Sequence, residues 1–410
     1  MLSWPDIYMP PALAGINQPT LVLFDSYKGV KVEITGEQNS IYVCGITPYD
    51  ATHMGHAATY LTFDLVNRYL KASGKKVSFV ENITDIDDPL LERAARDSQD
   101  WKELATSQID LFREDMTALG VLPPNSYRGV VESMDEIISF VEQMIATEKS
   151  YELEGDIYLD LNQVEGAIKD LPLPLEQALV IFKERGGDPE RVGKRHALDP
   201  LLWKARQEDD PYWSAPFGQG RPGWHIECTA IALKNLPKTN PTSITLQAGG
   251  SDLIFPHHYM TALQAKALTG IEFASCYSHA GMIGLDGEKM SKSMGNLVFV
   301  SKLRQDGVSP ALIRLALFSD KYSRDRMWSK ELLDSAAELL ERLLSALSRQ
   351  EVAPTFEVVQ EVVNALADDL DAPRVFSALS SWCERTEAGQ VGGSPGEISR
   401  AIDTYLGITL

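Results

Sequence analysis

Cysteine is scarce in this chain of 410 residues. It occurs four times, at Cys44, Cys228, Cys276 and Cys383, far apart in sequence. That spacing argues against a disulfide framework and leaves metal binding, catalysis or plain burial for each thiol. Long apolar runs are missing too. No window approaches the ~18 uninterrupted apolar residues of a membrane span. The opening "MLSWPDIYMPPALAG" lacks both the basic and the continuous apolar regions of a signal peptide. The expectation is a cytoplasmic protein with no membrane partner. Basic residues are outnumbered, 38 Lys and Arg against 58 Asp and Glu, for a net charge of -20. That balance disfavours a general nucleic-acid surface and leaves room only for a local basic patch.

What is present is the composition of a globular protein, 44% apolar and 23% charged, long enough for two domains plus insertions. "TLVLFDSYKGVKVEI" reads as two short strands around a turn. "SIYVCG" reads as a buried strand, residues 57–72 as an amphipathic helix and "KVSFVENITDIDD" as a strand entering a polar loop. Strand, glycine turn, helix and strand form a βαβ unit, so a parallel sheet is expected. "SITLQAGG" supplies another buried strand, followed by a helix over 256–268. Ser309 and Pro310 mark a helix start. Residues 330–349 and 356–389 read as long amphipathic helices.

The expected division has an N-terminal extension and hairpin over 1–40 and a first half of the sheet domain over 41–95. A mostly helical insertion over 96–200 and a second half over 201–275 follow. Residues 276–330 form a loop and stem-like region, and 331–410 a helical bundle. No internal repeat is visible.

Chemistry concentrates in two stretches. "HMGH" places His53 and His56 where a helix begins beside a strand end, and helix N-termini attract phosphate. Such a pair equally suits a helix cap. "GMIGLDGEKMSKSMGN" places Lys289 and Lys292 in a Gly- and Ser-rich loop suited to closing over phosphates, or simply to being solvated.

HxGH upstream and KMSKS downstream together resemble the signature pair of class I aminoacyl-tRNA synthetases. "CGITPYD", "RPGWHIECTAIAL" and "GGSDLIFPHH" are similar to cysteinyl-tRNA synthetase. The resemblance implies an α/β fold, a Rossmann-like parallel sheet domain with a mostly helical insertion and a C-terminal helical bundle. It implies one zinc ion held by Cys44, Cys228 and His257. Zinc suits thiolate and imidazole ligands, and three protein ligands leave a position for a substrate thiolate. A hydroxyl is a poorer ligand, so cysteine would be selected over serine without editing. The family pattern has a glutamate four residues after the histidine; here Thr261 stands there, so three protein ligands are expected. Cys276 and Cys383 are expected in the core.

Over essentially the whole chain, "CGITPYDATHMGHAATYLTFDLV", "ERGGDP" and "GRPGWHIEC" resemble the mycothiol-pathway cysteine ligases, shortened homologues of cysteinyl-tRNA synthetase. The resemblance implies ATP-dependent joining of L-cysteine to the amine of glucosaminyl-inositol through a cysteinyl adenylate, with Mg2+ accompanying ATP. His53, His56, Lys289 and Lys292 would stabilise phosphate charge. Gly45, Ile46, Thr47, Thr59, Asn82, Ile83, Thr84, Trp224, Gly250, Ser251, Asp252 and Ile283, with Cys44, would line the adenylate pocket. Asp252 would pair with the substrate ammonium and Trp224 form a wall. Trp224 equally suits core, Asn82 and Thr84 suit turns, and "ERGGDP" suits a glycine-terminated helix end.

The competing reading is a cysteinyl-tRNA synthetase. Residues 294–410 resemble the family's helical bundle without a further anticodon-reading module. Residues 331–410 hold 14 Asp and Glu, five Arg and no Lys, a poor surface for a phosphate backbone. No nucleic-acid partner is therefore expected; a monomer is the expectation for the assembly, which no feature of the sequence decides.

Overall fold

The structure is a computed structural model that describes residues 1–208, 210–290 and 295–410. Five parallel strands build its centre. Across the sheet they run Ala274–Ala280, Ile244–Gly250, Gln38–Val43, Lys76–Ile83 and Ser126–Gly129. The middle strands are buried on both faces, so they read as runs and not as alternation. From Gln38–Val43 the chain winds through Lys76–Ile83 to Ser126–Gly129, then returns on the other side at Ile244–Gly250. A crevice opens at this reversal, beyond the carboxyl ends of Gln38–Val43 and Ile244–Gly250.

The helix expected over 57–72 begins earlier and spans Met54–Ala72. It is buried on almost every side and not on one face. The outer side is covered by the C-terminal turn Ile402–Leu406. Its buried carboxylate is paired: Asp64 Oδ2 accepts from Arg68 Nε at 2.8 Å and from Arg314 Nη2 at 2.6 Å. Burial would raise the Asp64 carboxyl, but the two guanidinium groups hold it below its ordinary value.

The insertion departs from a mostly helical body. Residues 96–200 carry Met134–Ala146 and Leu175–Glu184, but also the central-sheet strand Ser126–Gly129 and the first two strands of an antiparallel sheet that continues to residue 222. The strand order is Ser150–Leu153, Asp156–Leu159, Leu201–Ala205, Gly218–Pro222, Trp213–Ala215. The signal lay in "SYELEGDIYL": Glu154 and Gly155 both take positive φ, as a tight hairpin requires.

Ser309 caps the helix Pro310–Leu317 by accepting from Leu312 N at 3.3 Å. The long helix read over 356–389 is two helices, Phe356–Ala367 and Ala372–Glu387. Asp369 and Leu370 break it with positive φ, and Asp371 caps the second helix, with Pro373 in its first turn. Among the described residues, no helix is long and apolar enough to cross a membrane.

Candidate functional site

The crevice begins where Gln38–Val43 ends. Cys44 N donates to Ala248 O at 3.0 Å, stitching the first strand to its neighbour across the point of reversal. Gly45 then passes so close to the next strand that a Cβ there would sit 1.5 Å from Asn82 O. Asn82 Oδ1 accepts from Gly45 N at 3.0 Å and from Tyr42 Oη at 2.9 Å. Asn82 is thus a turn former at a site: it holds the Cys44–Gly45 turn and also lines the cleft.

Cys228 lies on the helix Trp224–Asn235, and His257 on the turn that follows Ile244–Gly250. The ligand atoms of Cys44, Cys228 and His257 all lie within 4.8 Å of one another and are buried. Cys44 Sγ is 3.9 Å from Cys228 Sγ. A tetrahedral zinc with ordinary Zn–S bonds sets two sulfurs about 3.8 Å apart, so the donor set and its size fit zinc. His257 Nε2 faces Cys228 Sγ at 3.2 Å. Burial raises both thiols. Contact with Cys44 and with His257 outweighs this at Cys228 and lowers it, while Cys44 stays raised. Thr261 donates its hydroxyl to His257 O at 2.8 Å, so it steadies the backbone of the proposed ligand.

Three histidines support this cluster that sequence reasoning left without roles. His225 Nδ1 lies 3.0 Å from His257 Nδ1. His258 Nε2 lies 3.0 Å from Cys44 Sγ, and its Nδ1 is 2.7 Å from His279 Nε2. His279 in turn meets Ser26 Oγ at 2.9 Å. Burial holds His225, His258 and His279 below the ordinary imidazole range. Two of these histidines sat inside "WHIEC" and "FPHH" and could have been singled out there.

His53 is the N-cap of Met54–Ala72: its Nδ1 accepts from Gly55 N at 3.1 Å and His56 N at 3.4 Å. The cap reading and the site reading therefore coexist, because both histidines also line the cleft. Their rings stack with centroids 3.7 Å apart. Burial, and then the neighbouring His53, lower His56, which is neutral near pH 7. The backbone of 298–300 is stitched to this segment: Val300 N donates to Thr52 O and Met54 N to Val298 O, each at 2.9 Å. Lys292 lies outside the described residues; Lys289 ends the strand Glu288–Lys289, paired with Ile283–Leu285.

One cleft of about 960 Å³ joins these parts, near the upper end of the usual ligand-site range. It is lined by Cys44, Gly45, Ile46, Thr47, His53, His56, Thr59, Asn82, Thr84, Trp224, Cys228, Gly250, Asp252 and His257, all anticipated from sequence. The Trp224 ring stacks on His257 with centroids 4.1 Å apart. Ile83, Ser251 and Ile283 are not part of the lining; Ile83 and Ile283 are core. Cys276 and Cys383 are fully buried. The cleft is also lined by residues to which sequence reasoning gave no role, among them Asp87, Tyr158, Arg185, Lys204 and Arg221. Burial pushes the Asp87 carboxyl up to about 6.

Comparison with known proteins agrees with this geometry. The family model described as tRNA synthetases class I (C) catalytic domain matches residues 30–338. An L-cysteine:1D-myo-inositol 2-amino-2-deoxy-alpha-D-glucopyranoside ligase of Gordonia bronchialis is 49% identical, with 100% of both chains covered. A protein of the same name from Streptomyces griseus is also 49% identical over 100% of both. Among solved structures, Mycobacterium tuberculosis methionyl-tRNA synthetase in complex with methionyl-adenylate has a TM-score of 0.63 at 16% identity. It covers 90% of this chain and 88% of its own, a likeness of fold alone. The chain therefore belongs to the class I tRNA synthetase (C) family and, within it, to the family of the L-cysteine:1D-myo-inositol 2-amino-2-deoxy-alpha-D-glucopyranoside ligases.

Proposed function

We propose that the protein joins L-cysteine to the amine of glucosaminyl-inositol in an ATP-dependent, AMP-forming ligation. The observation that carries this is one cleft that unites a Cys–Cys–His cluster with the HxGH helix start at the sheet's point of reversal. Full-length likeness to the named ligases supports the choice of acceptor.

In the first step a cysteine carboxylate oxygen attacks the α-phosphorus of Mg2+-bound ATP, and pyrophosphate leaves. Cys44, Cys228 and His257 would hold a zinc ion, which supplies a ligand position that a thiolate fills far better than a hydroxyl. Asp252 lines the cleft as the partner of the cysteine ammonium, and Trp224 walls it. The positive end of Met54–Ala72 faces the phosphates, and neutral His56 offers a hydrogen bond there and not a charge. Lys289 and Lys292 complete the phosphate clamp in this reading. In the second step the neutral sugar amine attacks the carbonyl carbon. A C–N bond forms, the bond to the phosphate oxygen breaks, AMP leaves and the amine loses a proton.

The test offers purified protein, ATP and cysteine either glucosaminyl-inositol or tRNA. Amide formation with the sugar, indifferent to tRNA and only weakly dependent on salt, is expected. Efficient charging of tRNA with a steep salt slope, and no reaction with the sugar, would overturn the proposal.

A further inference from the structure

Besides the Cys–Cys–His cluster and the HxGH helix start, the cleft is lined by Tyr158, Lys204, Arg221 and the turn Glu184–Asp188, which together make up a further lobe of its lining. None of these residues belongs to the zinc cluster or to the two signature motifs.

We infer that this lobe binds the aminosugar acceptor and that the Glu184–Asp188 turn is its specificity-determining wall. The inference rests on the ligase reading above and locates a substrate within it.

The turn is built to stay in place. The helix Leu175–Glu184 ends with Gly187 N donating to Phe182 O at 2.8 Å and Gly186 N to Lys183 O at 3.2 Å, a Schellman end. Gly186 takes φ +86, and a Cβ on Gly187 would lie 2.4 Å from the Phe182 ring. The two glycines therefore fold the chain back onto Phe182, which itself lines the cleft. Asp188 is then pinned on both oxygens, by Lys194 Nζ at 2.8 Å and by Tyr158 Oη at 2.5 Å. The "ERGGDP" segment is thus a glycine-terminated helix end, and its anchoring presents Glu184 and Arg185 to the cleft.

The lobe adjoins the reacting carbonyl's expected position. Arg185 Nη1 reaches to 3.5 Å from Asp252 Oδ2, the proposed partner of the cysteine ammonium. An acceptor held against this turn would have its amine beside the activated carboxyl, as aminolysis requires.

The chemistry of the wall suits a polyol amine. The lining carries Glu184, Asp188 and Asp88 together with Arg185, Lys204 and Arg221, and both Lys204 and Arg221 pair with Asp88. Arg221 is buried and its Nε makes no hydrogen bond among the described residues; the Asp210 carboxylate is 3.6 Å away. Donors and acceptors in mixture match many hydroxyls and one amine. A phosphate backbone would call for cations alone.

The experiment uses Glu184→Gln, at an exposed position, and Lys204→Met as an independent second variant. Zinc content and cysteine-dependent ATP–pyrophosphate exchange are measured beside amide formation, with glucosaminyl-inositol and glucosamine as alternative acceptors. The expected result is an acceptor KM raised about 10-fold or more, as for loss of a hydrogen bond to a charged group. Exchange and zinc stay near the wild-type level, and the preference for the inositol-bearing acceptor narrows. A wild type that makes the amide, with both variants keeping its acceptor KM and preference, would overturn the location alone. A wild type that makes no amide from either sugar would overturn the ligase reading and this inference with it.

Discussion

His225 Nδ1 lies 3.0 Å from His257 Nδ1, so the nitrogen of His257 that turns away from Cys228 meets a second imidazole. That contact holds the ring in place, as outer partners of metal-binding histidines commonly do. Replacing Cys44, Cys228 or His257 with alanine should lower zinc content and cysteine activation together. His225→Ala should weaken zinc by about 10–100-fold, read by chelator competition. Thr261→Val should keep zinc bound. Full metal in the alanine variants at Cys44, Cys228 and His257 would remove those residues from the site.

Adenylate formation should depend on the KMSKS lysines. Lys292→Ala is expected to slow ATP–pyrophosphate exchange on the order of 100-fold, the usual cost of losing one donor to a developing charge. Zinc content should be unchanged. Exchange at the wild-type rate would refute the phosphate role of this loop. Because burial holds His56 below its ordinary value, exchange should gain nothing as pH drops through about 6.5, where an exposed histidine would acquire charge.

Asp85 should make stability depend on pH in an unusual direction. Its carboxyl accepts from Val131 N at 2.9 Å, and burial pushes it up from 3.8 to about 6. Between those values the folded chain keeps a proton that the unfolded chain has released. This contribution is therefore present below about pH 4 and lost as pH rises through about 6. Asp85→Asn keeps the acceptor and removes the titration. Urea unfolding at about pH 4.5 and pH 7 should show a smaller fall in stability for the variant than for the wild type. An equal fall in both would show that Asp85 ionises normally.

Arg314 ties the C-terminal segment to the signature helix. It donates to Asp64 at 2.6 Å, to Leu406 O at 2.8 Å and to Leu119 O at 2.8 Å, and is fully buried. Arg314→Met leaves two carbonyls and part of a buried carboxylate uncompensated. The expected cost is about 3–5 kcal/mol, measured by thermal or urea unfolding. A loss below about 1 kcal/mol would mean that Arg68 alone neutralises Asp64.

Much of the candidate cleft's lining could be read before any fold was known, because its sequence signals are local. "CGITPYD", "HMGH" and "FPHH" each compress a donor and the turn that presents it into a few residues. Gly45 and Asn82 illustrate why: a close backbone approach demands glycine, and a turn demands a side-chain acceptor, so the sequence records both. The parallel sheet was likewise legible in the order of strand, glycine turn, helix and strand.

Other features were decided by packing between distant segments. The helix Met54–Ala72 looked one-sided and is buried nearly all round, since the C-terminal turn covers its outer face. His258 touches Cys44 across 214 residues of chain, and Arg185 crosses the cleft to Asp252. No local pattern encodes such meetings, because helix and strand periods report only which face is apolar, not what arrives to cover it. The sequence by itself determined the donor atoms, the glycine turns and the strands that carry them. Tertiary structure alone decided which imidazoles support the cluster and which residues distant in sequence, such as Tyr158 and Arg185, join the lining of the cleft, because these depend on contacts closed only when the chain reverses direction at the sheet's midpoint.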